Sequence, residues 1–269
     1  MRAFVNGSNI YYAVAGDTHA LPVVFVHGFP FSHQIWRAQM EAAAAAGFRA
    51  VAYDVRGHGM SDVGDGQYTI ESHVDDLFAL MDHLRITRAV VAGLSMGGYI
   101  TLRAIEREPA RFAGVVLCDT RSEADTDEAR VRRAASVKAV KAEGSAAYAE
   151  GYVRQMFAPG TFTDNPGPVE TIRSIIAGTP PLGIAGTLIA LAARTDTTRS
   201  LAAITVPALI LVGDQDTVTP LTSAQTLHAG IRGSELHVVP GAAHLTTMEN
   251  PAFVSEKLVA FLRRIPAGS

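Results

Sequence analysis

The sequence predicts an α/β fold, a mostly parallel eight-stranded sheet with helices on both faces. Two observations carry this. Short apolar runs bounded by turn residues alternate with segments of helical periodicity, a pattern that gives a parallel sheet covered on both sides. The chain is also long enough for the core such a sheet needs, at 269 residues with 48% hydrophobic and 18% charged side chains.

In order, "AFVNG" is expected to pair with "IYYAVAG" (10–16) through a turn at Asn6-Gly7, with 10–16 as an edge strand. The runs "PVVFVHG" (22–28), "FRAVAYDVRGHG" (48–59), "RAVVAGLS" (88–95), "FAGVVLCDT" (112–120), "VPALILVGDQD" (206–216) and "SELHVVPGAAH" (234–244) read as further strands. Helical patterns cover about 34–46, 70–85, 96–108, 221–230 and 250–264. In the second of these, Val74, Leu77, Phe78, Met81 and Leu84 recur at helical spacing. Thr69, three residues before Ser72, is a weak N-cap signal. Residues 121–200 hold no strand pattern and are rich in alanine and charge, which predicts three or four helices inserted between two core strands. The expected organisation is a core of 1–120 and 201–269 with a helical cap (lid) at 121–200, set over the strand ends where α/β folds bind ligands.

Composition removes several function classes. A net charge of −3 without charge runs argues against nucleic-acid and membrane partners. The one cysteine, Cys118, permits no disulfide within the chain and reads as a small buried hydrophobe. No signal peptide is read at the start and no stretch has bilayer-spanning length, so a cytoplasmic location is expected. The histidines lack metal-ligand spacing, and neither a P-loop nor a dinucleotide fingerprint occurs. No metal and no cofactor are therefore expected.

The stretch "VVAGLSMGGYI" (90–100) carries the chemistry. A serine among glycines, between an apolar strand and a helical pattern, is a G-x-S-x-G nucleophile elbow. A serine hydroxyl needs a base, and that base needs an orienting carboxylate. "GDQDTVTP" offers Asp214 and Asp216, and "GAAHLTTMENP" offers His244. Each lies just past the end of a predicted strand, so all can converge with Ser95 at one sheet edge. Asp214 can cap its turn, and Asp119 is a further candidate acid. Two backbone donors suit an oxyanion: Met96 at the start of a helix, and Phe29 in "HGFP", since Pro30 has no N–H. His27 and His58 read as structural, with Arg56 bracing their loop. Trp36 and Leu188 are candidate pocket-lining residues.

The pieces "VHGFPFS", "YDVRGHGMSD", "GLSMGG", "VGDQDTVTP" and "GAAHLTTMENP" together resemble the α/β-hydrolase superfamily over essentially the whole chain. The branch is similar to 3-oxoadipate enol-lactonases, small carboxylesterases and lactonases, and cofactor-free haloperoxidases or perhydrolases. The resemblance implies Ser95 as nucleophile, His244 as base, Asp216 as its partner, and the Phe29 and Met96 N–H groups as an oxyanion hole. It also implies a cap over 121–200. The expected activity is hydrolysis of a small ester or lactone through an acyl-enzyme. "HGFP" is closer to the haloperoxidase and esterase members than to the enol-lactonases. Perhydrolysis is the alternative, with carbon–carbon bond hydrolysis and lactone binding without turnover behind it. Leu182, Ile184, Leu188, Ile189 and Leu191 favour a hydrophobic acyl or alkyl group, and no basic cluster in this segment calls for a highly charged substrate.

Overall fold

The computed structural model describes residues 1–266. Eight strands form one sheet: β1 (Arg2–Val5), β2 (Ser8–Ala15), β3 (Pro22–Val26), β4 (Arg49–Tyr53), β5 (Ala89–Leu94), β6 (Phe112–Cys118), β7 (Ala208–Gly213) and β8 (Glu235–Val239). Their order is β1-β2-β4-β3-β5-β6-β7-β8. Strands β3 to β8 are parallel, while β1 and β2 run antiparallel to their neighbours.

The hairpin turns at Asn6 (φ 46°) and Gly7 (φ 71°), the left-handed pair that a two-residue turn requires to match strand twist. The true edge is β1. Strand β2 also pairs with β4, Tyr12 opposite Tyr53, so 10–16 is an inner strand and not the expected edge. Strands β5, β6 and β7 are buried at every position, which explains their unbroken apolar runs.

The strands stop earlier than the runs suggest. β4 ends before Asp54, β7 before Asp214 and β8 before Pro240-Gly241. The aspartates spend their carboxylates on loop N–H groups instead. Asp54 accepts from the backbone of His33 and Met60, and Asp214 from Gly241 and Ala242. The residues beyond these breaks form the loops at the C-terminal strand edge.

Helices α1 (Arg37–Ala45), α2 (Ile70–His83) and α3 (Met96–Arg107) join the first strands. Helix α2 opens on a full capping box: Thr69 accepts from Ser72 N–H, and Ser72 accepts from Thr69 N–H, both at 3.0 Å. Serine does here what glutamate or glutamine does in the usual box, so the weak signal marks a real cap. Arg56 makes a two-pronged pair with the buried Asp76 on α2 (2.9 and 2.6 Å) and donates to Asn6 O, bracing the 54–62 loop.

Between β6 and β7 lie α4 (Asp127–Val153, interrupted at Gly144), α5 (Thr161–Asp164), α6 (Gly167–Gly178) and α7 (Pro181–Ala192). Helix α7 seats its backbone on the core loop. A side chain at Gly183 would meet Gly57 O at 2.1 Å, and one at Gly186 would meet Gly66 O at 2.2 Å. The two crossings of this insertion are fastened together. Thr197 N–H donates to Ser122 O, and Asp125 is shared by Arg133 and Arg194. After β7 come α8 (Leu221–Gly230), α9 (Thr246–Glu249) and α10 (Pro251–Leu262). Among the described residues no single helix is long and apolar enough to cross a membrane.

Three histidines are buried near the 54–62 loop. His27 donates from Nδ1 to Gly28 O (2.8 Å) and accepts Val55 N–H on Nε2 (2.8 Å), an arrangement only the neutral ring satisfies. Burial brings its pKa down to about 4, and those of His58 and His73 to about 3, from an ordinary 6.5. These groups are lowered on folding, so below pH 6.5 the unfolded chain binds protons that the native chain refuses. Stability is full above that pH and falls as pH drops from about 6.5 towards 4. The loss should be on the order of 1 kcal/mol per histidine per pH unit. Urea midpoints measured at pH 7.5 and 5.0 are expected to show it. His73→Leu should flatten the dependence, because neither ring nitrogen of His73 has a partner among the described residues to lose. An unchanged slope in that variant would refute the assignment.

Candidate active site

Ser95 sits between β5 and α3 with φ 52° and ψ −112°, a region that an L-residue enters only under constraint. The constraint is backbone crowding. A side chain at Gly93 would meet Gly97 O at 2.2 Å, and one at Gly97 would meet Val26 O at 2.0 Å. Strand and helix can pass this closely only without side chains, and the turn aims the serine hydroxyl out of the sheet. Ser95 N–H donates to Cys118 O (2.9 Å), and Ser95 O accepts from Gly98 N–H and from the Thr120 hydroxyl.

The loops after β7 and β8 bring two groups to that hydroxyl. His244 Nε2 lies 2.9 Å from Ser95 Oγ, and its Nδ1 lies 2.9 Å from Asp216 Oδ2. The carboxylate fixes the Nδ1 proton, which leaves Nε2 free to accept from the serine. Asp216 Oδ1 accepts the Val218 and Thr219 N–H groups, and Oδ2 accepts the Thr219 hydroxyl (2.7 Å). Burial raises the Asp216 carboxyl, but His244 and the Thr219 donors outweigh it and hold the group below the ordinary carboxylate range.

Asp214 and Asp119 have other tasks. Asp214 caps the turn that leads to the histidine. Asp119 is fully buried and accepts from Gly213 N–H (3.0 Å), Thr246 N–H and the Thr246 hydroxyl (2.6 Å). It thereby ties the ends of β6 and β7 to the segment after His244. Burial, and then the neighbouring Asp216, pushes its carboxyl well up.

Ser95 opens into a cleft of about 640 Å³, walled on its far side by α4 and α7. Phe29 and Met96 line it, and neither of their N–H groups donates to a described residue. Leu188 and Leu191 also line it. Trp36 does not. It ends a 3-10 turn (His33–Trp36) and is 1% exposed, packed on Phe25 in the core with ring centroids 5.1 Å apart. Leu182 and Ile189 turn outward, at 45% and 56% exposure. The wall is not purely apolar either: Arg121, the adjacent Arg132 and Arg133, and Arg194 meet there. The sequence shows no basic cluster that calls for a highly charged substrate, whereas the fold brings these four arginines to one wall.

Three positioning residues escape sequence reasoning. Thr219 stands three residues after Asp216, the spacing of a local side-chain turn, so its signal was present in "DTVTP". Tyr152 on α4 donates to Phe29 O (2.9 Å), and Glu249 accepts from the N–H groups of Ala158 and Ala243 (both 2.7 Å). Those two act across elements and leave no local trace. Among the described residues no three His, Cys, Asp or Glu side chains are arranged to hold a metal ion.

Residues 23–257 match the Alpha/beta hydrolase family, and the chain belongs to it. It is similar to a thermophilic esterase from Thermogutta terrifontis, solved with malate bound (34% identity, 98% of each chain, TM-score 0.94). It is also similar to 3-oxoadipate enol-lactonase 2 of Acinetobacter baylyi (30% identity over 94% of this chain and 92% of that one). A non-heme haloperoxidase of Rhodococcus erythropolis is 30% identical over 96% of this chain and 97% of its own.

The two acids separate by experiment. Asp216→Asn should slow labelling of Ser95 by a serine-directed phosphonate by about 10³- to 10⁴-fold, because His244 loses the carboxylate that sets its tautomer. Asp214→Asn should label near the wild-type rate and lower the thermal midpoint, by loss of about 1 kcal/mol. The reverse result would make Asp214 the orienting group.

Proposed function

We propose that this chain is a hydrolase of carboxylic esters or lactones that works through an acyl-enzyme on Ser95. One observation carries the reading: a continuous run of hydrogen bonds from Asp216 through His244 to Ser95, ending at a cleft beside two backbone N–H groups without acceptors among the described residues. Similarity to the esterase and the enol-lactonase supports the same class.

His244 Nε2 takes the Ser95 proton as Oγ attacks the carbonyl carbon. The Phe29 and Met96 N–H groups donate to the oxygen that becomes negative, at about 3 kcal/mol each. Asp216 stabilises the imidazolium so formed. His244 then hands its proton to the leaving alkoxide oxygen, the C–O bond breaks, and the acyl-serine remains. Water, losing a proton to His244, attacks the acyl carbon. The serine departs with that proton and the acid is released. In a lactone the alcohol stays tethered to the acyl group.

In this reading α4 to α7 form the cap. Tyr152 positions the oxyanion loop by holding Phe29 O, and Leu188 forms part of the wall that meets the substrate. Perhydrolysis is the second reading, favoured by the haloperoxidase similarity and by Pro30 after the oxyanion residue. Hydrogen peroxide would then replace water in the second half. Parallel assays of acid and peracid release from one ester distinguish the two readings.

Ser95→Ala should abolish nearly all ester hydrolysis with an unchanged circular-dichroism spectrum. In the wild type the phosphonate should add mass only to the peptide containing Ser95. Labelling of any other peptide, or full activity in the alanine variant, would end this proposal. Leu188→Ala should move the chain-length profile of kcat/KM towards bulkier acyl groups, by about 1–3 kcal/mol in discrimination. A flat profile would remove α7 from the substrate wall.

A further inference from the structure

The cleft carries a charge pattern that ester hydrolysis by itself does not require. Four arginines line it, against the carboxylates of Asp125 and Glu143. The four are not equivalent. Arg194 is buried and committed: it pairs with Asp125, donates to the carbonyls of Leu191 and Glu123, and lies 4.3 Å over the Tyr99 ring. Arg133 is held by the same Asp125 through two nitrogens. One carboxylate thus serves two guanidinium groups. Arg121 and Arg132 have no ion-pair partner among the described residues.

Arg121 is placed beside the reacting serine. It follows Thr120, whose hydroxyl donates to Ser95 O at 2.8 Å, and it donates from Nη2 to Val218 O in the loop that carries Asp216. Its Nε–H is buried without an acceptor among the described residues, whereas Nη1 is neither buried nor paired there, and the side chain lines the cleft. A guanidinium fixed through Nη2 with Nη1 unpaired keeps a charged donor available to the cleft, and such a donor suits a carboxylate. One helical turn from Glu128, whose carboxylate is engaged with Thr126 at the helix start, Arg132 is exposed on α4 at the rim. Glu143, also exposed, opposes it but stands 11 residues further along the helix. That is about 16 Å at 1.5 Å per residue, roughly two screening lengths in physiological salt.

We propose that this part of the cleft is a carboxylate-recognition subsite, with Arg121 at its centre and Arg132 at its rim. The preferred substrate is then an ester or lactone that carries a free carboxylate of its own. The proposal rests on the acyl-serine reading and narrows it: the reacting carbonyl sits at Ser95 while the second, charged end is anchored by arginine. A neutral ester of equal length forfeits that anchor and leaves the Arg121 donor unfilled.

Matched methyl esters test this. Monomethyl succinate, glutarate and adipate are compared with methyl butyrate, valerate and hexanoate, which replace the carboxylate by a methyl group. At low ionic strength kcat/KM for the acid should exceed that for its neutral partner by about tenfold or more at one of these lengths. Added salt should reduce the ratio. Arg121→Gln and Arg132→Gln should each bring it towards one, and Arg132→Glu, at an exposed position, should drive it lower still with an unchanged circular-dichroism spectrum. A ratio near one in the wild type at all three lengths overturns the subsite, as does a ratio that survives the double glutamine variant. Calorimetric titration of Ser95→Ala with monomethyl glutarate and methyl valerate reads the subsite without turnover. Tighter binding of the acid supports it, and equal binding refutes it. If the wild type hydrolyses no ester, the acyl-serine reading falls, and the titration still decides the subsite.

Discussion

The close passage of β5 beneath α3 is the constraint on which the site depends. Gly93 and Gly97 let the two backbones, and the end of β3, approach to distances that no side chain would allow. The chain can make that turn only by forcing Ser95 into a positive φ, at about 1–3 kcal/mol. The surroundings over-determine the conformation. Ser95 N–H is held by β6, its carbonyl by Thr120 and by the first turn of α3. One tight turn thus sets the direction of the hydroxyl, leaves the Met96 N–H unpaired beside it, and places both at the sheet edge where Phe29 ends its own strand connection.

The acid and the histidine arrive on loops, and loops need fastening. Asp119 links the ends of β6 and β7 to Thr246, so the segment after His244 is tied to the sheet itself. Asp214 fastens the turn before it. The remaining anchors come from the inserted helices: His244 N–H donates to Met156 O, and Glu249 joins Ala243 to Ala158 and Thr161. The insertion therefore bears on the geometry of the reacting groups as well as on the walls around them. Its own hold on the core is of the same kind as the serine turn, since Gly183 and Gly186 give α7 a backbone-close seat on the 57–66 loop.

Much of this was legible in the residues. The alternation of apolar runs and helical periods gave the parallel sheet, because fully buried strands cannot alternate polar and apolar positions. Ser95, Asp216 and His244 stand out as candidates because each lies in the segment that follows a strand's C-terminal end, and parallel strands bring those segments to one edge. Asp214 and Asp216 were separable only in part, since both lie in the same turn and differ in which way a two-residue step points them. Thr69 and Thr219 were underweighted or missed although their partners lie three residues away. There a hydroxyl does work usually ascribed to a longer side chain.

By itself, then, the sequence determined the layers of the fold, the strand ends whose loops meet, and which side chains are candidates for the chemistry. Each of these rests on local spacing, and spacing survives in one dimension. The tertiary structure decided which side chains share the cleft. Trp36 turned into the core because a 3-10 turn aims it at Phe25. Leu188 reached the cleft because two glycines let α7 dock where it does, and Tyr152 because α4 packs over the Phe29 loop. Arg121, the adjacent Arg132 and Arg133, and Arg194 span more than seventy positions, yet the inserted helices fold back and set them on one wall. The physical reason is that charge acts through distance in space, and only the packing of the inserted helices fixes that distance.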